Sequence, residues 1–375
     1  MTTPRWIWQQ PDWPRFTWRE AELQPRLRAL RLTLGILIGK AAATGADRER
    51  PLDTLLANIV ASSAIESEAL NVASVRSSLA RRLGVSETQP YPVSERSEGV
   101  AAMMLDAIDT ALPVLDLERL FRWHRWLFPE EAGGWTTARV RPGQLRGDEP
   151  MQVVSGRLDR PRVHFEAPPR SGLEPELARF IDWFNQSRED ATLDPVIRAA
   201  VGHLWLVTLH PFDDGNGRIS RALTDMALAQ GDSQGIRLYA MSVAILERRA
   251  DYYQALEQTQ RGGLDITPWL LWFMDTLAAT LQQALAQIER TLVKGRFWRH
   301  YQDAGLGPEQ AKVLNRLLDG GDKGFEQGIS AAQYQKVARV SKATATRHLA
   351  DLLGKGCLEK LPGGGRSTRY RIRKP

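Results

Sequence analysis

Residues 210–221 read HPFDDGNGRISR, and the reading of this stretch decides how the rest of the chain is understood. Upstream, Asp194 to Leu209 (DPVIRAAVGHLWLVTL) sets Ile197, Val201, Leu204 and Val207 on one apolar stripe at helical spacing. The sequence therefore predicts a buried helix that delivers His210 to a turn from a rigid support. Pro211 has no amide hydrogen, and Gly215 and Gly217 favour backbone angles that other residues avoid, so the helix cannot run on. From Arg218 helical character returns (RISRALTDMALAQ), which leaves the Gly-Asn-Gly amides at a helix N-terminus. Free donors and the helix dipole favour an anion there, and a phosphate fits.

The neighbouring side chains extend that reading. Asp214 is a hard oxygen ligand suited to Mg2+, an ion that usually takes one or two carboxylates together with substrate phosphates. Arg218 and Arg221, three apart on the new helix, can face one phosphate group with charge-assisted hydrogen bonds. Base, carboxylate, amide cradle and paired cations together spell nucleotide phosphates, metal and proton transfer. Each part has a plainer reading alone: a structural histidine beside proline, a polar turn, a solvated basic face. All three would have to hold in register for the chemical reading to be empty. Phe212 is expected only to anchor the loop in the core.

The segment is identified as carrying the signature of the Fic family, HPFx[DE]GNGRxxR, which it matches in full. Fic proteins are mostly helical enzymes that typically transfer AMP from ATP to a hydroxyl side chain of a target protein. The resemblance implies that His210 deprotonates a Ser, Thr or Tyr hydroxyl and that Asp214 holds Mg2+ against the α- and β-phosphates. It implies further that Gly215, Asn216 and Gly217 cradle the phosphates and that Arg218 and Arg221 bind β and γ. An unperturbed imidazole, with a pKa near 6.5, is neutral at physiological pH and can take that proton.

Further resemblances flank the signature. Thr54 to Ala69 (TLLANIVASSAIESEA) reads as a helix, with Leu55, Ile59 and Val60 ahead of Ser62 and Glu66. It resembles the inhibitory motif [ST]xxxE[GN] of Fic proteins that carry their own inhibitor N-terminal to the core. The resemblance implies that Glu66 pairs with Arg221 and blocks the productive γ-phosphate position. Ser67 departs from the motif, where Gly or Asn is usual. Met151 to Pro169 (MQVVSGRLDRPRVHFEAPP) reads as a β-hairpin. It resembles the Fic flap, which pairs with an extended target segment, and Val163, His164, Phe165 and Glu166 match its edge along the nucleotide. His164 reads as a structural part of that flap. Leu246 to Gln260 (LERRADYYQALEQTQ) is expected as one helix, with Tyr252 and Gln260 in the adenine pocket by family position and Tyr253 in the core.

Composition sets the bounds. The 375 residues suit two or three domains and a sizeable core. Leu32 to Ala43 is too short and too interrupted by Gly35, Gly39 and Lys40 for a membrane span, and the N-terminus lacks a signal peptide's pattern. The single Cys357 leaves no internal disulfide, consistent with a reducing compartment, and cytoplasm is the expectation. Trp6, Trp8, Trp13, Phe16 and Trp18 among prolines are too aromatic for a loose tail and are expected to dock. Their pattern, WxWxxxxWPxF, resembles an N-terminal cap of one Fic subgroup.

The net charge of +6 is unevenly placed: residues 331–375 hold eleven Lys and Arg against two acids, a net of +9, leaving −3 for the other 330 residues. Helices are expected over Pro308–Leu318, Ala331–Val337 and Lys342–Leu353, then two strands within Cys357–Ile372 around a glycine-rich turn. This order resembles a winged helix-turn-helix domain, with Thr344, Thr346, Arg347 and His348 on its recognition helix; DNA binding and protein contact or homodimerisation both remain open for it.

The expected fold is mainly α: an N-terminal helical cap with the inhibitory helix over 1–110, a Fic core with its hairpin over 111–295, and a winged helix over 300–375. The expected function is a self-inhibited protein adenylyltransferase acting with ATP and Mg2+ on a target protein and on itself. The alternatives are a DNA-binding regulator whose core senses nucleotide, and an enzyme that removes AMP with Glu66 positioning water.

Overall fold

In the computed structural model the chain divides into two compact units, Met1–Gln282 and Gln283–Pro375. The structure describes residues 5–43, 49–111, 114–129, 140–157, 160–232, 238–320, 325, 327–362 and 368–373. The first unit is helical, with one hairpin: α1 (Glu20–Ala43), α2 (Glu49–Ile65), α3 (Val72–Leu83), α4 (Glu95–Ile108), α5 (Leu117–Leu127), β1 (Gln152–Arg157), β2 (Arg160–Glu166), α6 (Leu173–Gln186), α7 (Pro195–Leu209), α8 (Asn216–Gly231), α9 (Met241–Glu247) and α10 (Arg249–Gln260). The long α11 (Thr267–His300) follows, and the boundary between the units falls within it.

The central helix is α7. Asp194 caps it by accepting from the Val196 amide at 2.8 Å, with Pro195 at the first helical position, where its missing donor costs nothing. The sequence suggests one apolar stripe; the structure buries every residue from Ile197 to Leu209, because α6 and α8 pack along α7 and the Trp269 indole of α11 donates to the Ala200 carbonyl at 2.8 Å. A helix covered on all sides can be apolar all round. Within it, His203 is kept neutral in a directed chain: the Tyr252 hydroxyl meets its Nε2 at 2.9 Å, and its Nδ1 meets the Thr224 hydroxyl at 2.8 Å, which donates on to the Ser220 carbonyl. Burial pushes the His203 pKa down to about 3, as its role as an acceptor requires.

Two expected helices differ in the structure, one ending early and one broken within. The helix read through to Ala69 stops at Ile65, and Ser67 takes a left-handed φ of 62°. The one read over Leu246–Gln260 is broken at Arg248 into α9 and α10. The expected hairpin is present as antiparallel β1 and β2, pairing Val153 with Phe165 and Val154 with Val163 across a bulge; the tip at 158–159 lies outside the described residues. The aromatic N-terminus docks in two places. Trp6 packs edge-on against Phe165 of β2 at 5.4 Å and the Trp8 indole donates to the Glu166 carbonyl at 2.8 Å, while Trp13 and Phe16 pack on Trp205 of α7.

The second unit contains α12 (Pro308–Asp319), β3 (Ile329–Ser330), α13 (Ala331–Ala338), α14 (Lys342–Gly354), β4 (Leu358–Lys360) and β5 (Arg369–Ile372). The strands form one small antiparallel sheet in the order β3-β5-β4; β3, two residues long, carries no signal in the sequence. Val313, Leu314, Tyr334, Leu349 and Leu352 form its core with the buried free thiol of Cys357. Among the described residues no helix is long and apolar enough to cross a membrane.

Candidate active site

His210 stands at the C-terminal cap of α7 in the left-handed region (φ 49°), its amide donating back to the Leu206 carbonyl at 3.1 Å. A non-glycine residue there is uncommon and is held by its surroundings. The ring Nδ1 lies 3.1 Å from the Val207 carbonyl, so it carries the proton, and Nε2 is left as the acceptor. Burial lowers the pKa of the ring, against a smaller opposing effect of the Val207 carbonyl. The imidazole is thus fixed in tautomer and kept neutral.

Asn216 staples the loop after His210: its side chain accepts from the Phe212 amide at 2.9 Å and donates to the Phe212 carbonyl at 2.8 Å. Phe212 is fully buried and stacks on His124 of α5 at 4.3 Å. His124 accepts from the Gly143 amide at Nδ1 (3.0 Å) and so presents Nε2–H to the Asp214 carbonyl at 3.2 Å; burial pushes its pKa down to about 4. Arg146 supplies a second clamp. Its buried guanidinium donates to the carbonyls of His210 (2.8 Å) and Pro168 (2.5 Å), and its amide donates to that of Pro211 at 2.9 Å. One cation thereby ties the loop at His210 to the end of the hairpin. Neither His124 nor Arg146 is legible in the sequence, since a lone histidine on an apolar helix face and a lone arginine in a loop have many ordinary readings.

Gly215 has φ 82°, and a Cβ there would lie 2.9 Å from the Phe128 ring, so both conformation and space call for glycine. α8 starts at Asn216, two residues before the expected Arg218, so the glycine turn forms the first turn of the helix itself. Asp214 keeps its side chain 58% exposed, with Oδ1 2.5 Å from the Gly215 amide and 3.5 Å from Arg218 Nη2. Its neighbour Asp213 is instead engaged by Arg141 at 3.1 Å. Among the described residues no group of three or more His, Cys, Asp or Glu gathers as a metal cage. One exposed carboxylate beside an amide-lined turn fits an ion that draws its remaining ligands from phosphate and water.

Arg221 is 2% exposed. Its Nη2 lies 2.8 Å from Glu66 Oε1 and donates to the Ser62 carbonyl at 2.8 Å, while Nε donates to the Ser62 hydroxyl at 2.9 Å. Burial alone would raise the Glu66 pKa, but Arg221 and then Arg218 outweigh it, so the carboxylate stays ionised. A Cβ on Gly217 would lie 2.1 Å from Glu66 Oε1, so this carboxylate fills the space over the glycine. Arg218, 4% exposed, pairs with Glu68, which lies two positions beyond Glu66 and carries no motif signal of its own. The Arg218 Nε and Arg221 Nη1 donors are buried with no hydrogen-bond partner among the described residues.

These groups surround a cleft of about 960 Å³ lined by Glu66, His210, Asp214, the glycine turn, the hairpin and α10. Of the four hairpin residues expected along it, His164 and Phe165 reach it. Val163 packs on the Trp6 cluster, and Glu166 stands off, held by Gln152 and Trp8. Four successive strand residues cannot all face one way. His164 bridges Ser155 (2.5 Å) and Glu257 of α10 (2.6 Å), and Arg261 donates to the Val163 carbonyl at 2.7 Å, so the hairpin is tied to α10. Gln260 lines the cleft and donates to Thr208 at 3.2 Å. Tyr252 also lines it but is 1% exposed and spends its hydroxyl on His203; Tyr253, expected in the core, is the half-buried one and meets Glu66 Oε2 at 3.2 Å. The break at Arg248 rotates α10 relative to the single helix read from the sequence.

Residues 114–228 match the sequence model of the Fic/DOC family, and residues 6–85 that of a domain of unknown function, DUF4172. The chain thus carries a segment similar to the Fic/DOC family behind a segment similar to DUF4172. It is 25% identical over 211 residues to the protein adenylyltransferase fic-1 of Caenorhabditis elegans, a match covering 54% of this chain and 34% of that protein. With the protein adenylyltransferase Fic of Drosophila melanogaster the identity is 34% over 134 residues, covering 36% of this chain and 25% of that one. The chain thus spans about a third or less of the length of these relatives. Among solved structures, a Fic family protein from Desulfovibrio desulfuricans G20 shares the fold, with a TM-score of 0.51 at 20% identity over 94% of this chain and 97% of that one.

Proposed function

We propose that this protein is a self-inhibited adenylyltransferase that moves AMP from ATP to a hydroxyl side chain of a target protein and of itself. The observation that carries the reading is the neutral His210 ring, its Nε2 unprotonated, beside an amide-lined helix N-terminus and two buried arginines that still hold unpaired donors. Those donors are what a triphosphate would satisfy. In the proposed reaction His210 Nε2 takes the proton of the target hydroxyl while its oxygen attacks the α-phosphorus. The bond to the β-phosphate oxygen breaks, pyrophosphate leaves, and Arg218 and Arg221 offset the charge gathering on it. Mg2+ held by Asp214 would neutralise the phosphates as they bind. The hairpin edge is the proposed place for an extended target segment, joined by backbone hydrogen bonds.

As found, Glu66 occupies Arg221 and the space over Gly217, so ATP binds poorly or misplaced. Incubation with Mg2+ and ATP labelled at the α-phosphate tests this. Glu66→Gly should raise labelling at least tenfold over the wild type, and Glu66→Gly with His210→Ala should lose it while still binding nucleotide. Undiminished labelling without His210 would refute the mechanism.

A second reading concerns the C-terminal unit. We read its order α12-β3-α13-α14-β4-β5, with strands arranged β3-β5-β4, as a winged helix-turn-helix. Left-handed Arg339 and the Ser341 cap make the three-residue turn between α13 and α14. α14 buries Ala345, Leu349 and Leu352 and exposes Lys342, Thr346 and Arg347, so a basic face is free for a DNA groove. His348, expected on that face, turns to the Tyr334 hydroxyl at 3.2 Å. On this reading the basic unit binds duplex DNA and brings the enzyme to its place of action.

A further inference from the structure

The turn after α2 carries two carboxylates, and the inhibitory reading uses only Glu66. Glu68, 14% exposed, pairs with Arg218 Nη1 on one side and with Arg96 Nη2 of α4, at 2.5 Å, on the other. The backbone explains how both acids reach α8. The Glu66 and Glu68 amides donate to the Ser63 carbonyl at 3.1 and 3.0 Å, the Ser67 amide donates to that of Ala64 at 2.9 Å, and left-handed Ser67 turns the chain between them. Each buried arginine of α8 therefore has one acid from the same short turn: Arg221 has Glu66 and Arg218 has Glu68.

We propose that Glu68 is a second arm of the inhibitory turn, withholding Arg218 from the nucleotide as Glu66 withholds Arg221, and that Arg96 is the partner on which Glu68 rests once Arg218 is released. The inference rests on the adenylyltransferase reading and adds to it a lock on the first arginine. A carboxylate and a phosphate oxygen compete for the same Nη1 donor, so both cannot hold it at once. Arg218 is 4% exposed and has little water to replace Glu68, whereas an arriving triphosphate brings the compensating charge. Arg96, 40% exposed, offers Glu68 a partner that costs little to desolvate, which makes the exchange feasible.

The test measures binding of a non-hydrolysable ATP analogue with Mg2+ to the full chain by calorimetry, in the Glu66→Gly background. Adding Glu68→Gln should tighten binding about three- to tenfold, the scale of one shared charge-assisted hydrogen bond. Adding Arg96→Gln instead leaves Glu68 with Arg218 alone and should weaken binding by a similar factor. Opposite signs for the two substitutions are the mark of a competing arm. Equal affinities, or weaker binding with Glu68→Gln, would overturn the proposal, since Glu68 would then be a bystander or a prop for Arg218. A Glu66→Gly protein that binds the analogue but transfers no label would sink the adenylyltransferase reading and leave these affinity differences to be judged by themselves. One that binds no analogue would sink both.

Discussion

As the proposed base, His210 depends on one hydrogen bond and on burial. The Val207 carbonyl fixes the proton on Nδ1, and desolvation disfavours the charged ring, so Nε2 stays a free acceptor below the usual imidazole pKa. The sign follows: a lowered pKa extends the active form to lower pH. The acid limb of kcat/KM for the Glu66→Gly protein should therefore fall below pH 6.5, and a limb at or above it would speak against this residue as the base. Ser67 is informative for the opposite reason. Its φ of 62° is the conformation that glycine or asparagine takes at least cost, which gives a physical cause for the residue usual at this point of the motif. Ser67→Gly should relieve up to about 1 kcal/mol of strain. The inhibitory turn should then hold more firmly, with a higher melting temperature and lower basal labelling.

At the scale of elements, the site is a set of couplings between helices. α2 and the turn after it meet α8 through two side-chain pairs: Glu66 with Arg221, and the buried Asn58 with Asp225 at 2.8 Å, the Asn58 carbonyl oxygen in turn accepting from the Ser242 amide at the start of α9. Burial raises the Asp225 pKa to about 7, despite Asn58 and Arg221. A carboxyl whose folded pKa lies above its unfolded value destabilises most when ionised, above that folded pKa, and this penalty fades as pH falls from 7 toward 4. Asp225→Asn keeps an acceptor for Asn58 without the charge. It should be more stable than the wild type above pH 7 by on the order of a few kcal/mol, read as a higher melting temperature, with the gap closing toward pH 4. A gap independent of pH would contradict the assignment. The loop of residues 140–147 shows coupling of another kind: Arg146 joins the loop after His210 to the hairpin and His124 joins it to α5, so that turn is braced from two sides.

For the whole molecule, the division of charge follows the division into units. The basic excess of residues 331–375 belongs to the second unit, where Lys312, Lys336, Arg339, Lys342, Arg347, Arg371 and Arg373 are exposed. Binding to duplex DNA through such a surface releases counterions, so log Kd measured by anisotropy should rise against log salt with a slope of about 4. Arg347→Ala together with Lys342→Ala should flatten it, and absence of binding at low salt would exclude the DNA reading in favour of protein contact.

Local events are legible in the order of the amino acids. Pro211 and the glycines stop one helix and start another, caps such as Asp194 and Ser341 fix helix starts, and the spacing of Arg218 and Arg221 sets both on the same side of α8. Those follow from backbone geometry within a few residues. Tertiary structure alone decided which of two adjacent tyrosines faces the cleft and which half of the hairpin edge reaches it, because a break at Arg248 and the alternation of β2 set those directions. It also decided that Glu68, Arg146 and His124 belong to the site. Their partners lie far along the chain, 22 residues for Arg146 and Pro168, 90 for His124 and Asp214 and 150 for Glu68 and Arg218, and burial rather than spacing gives those pairs their strength.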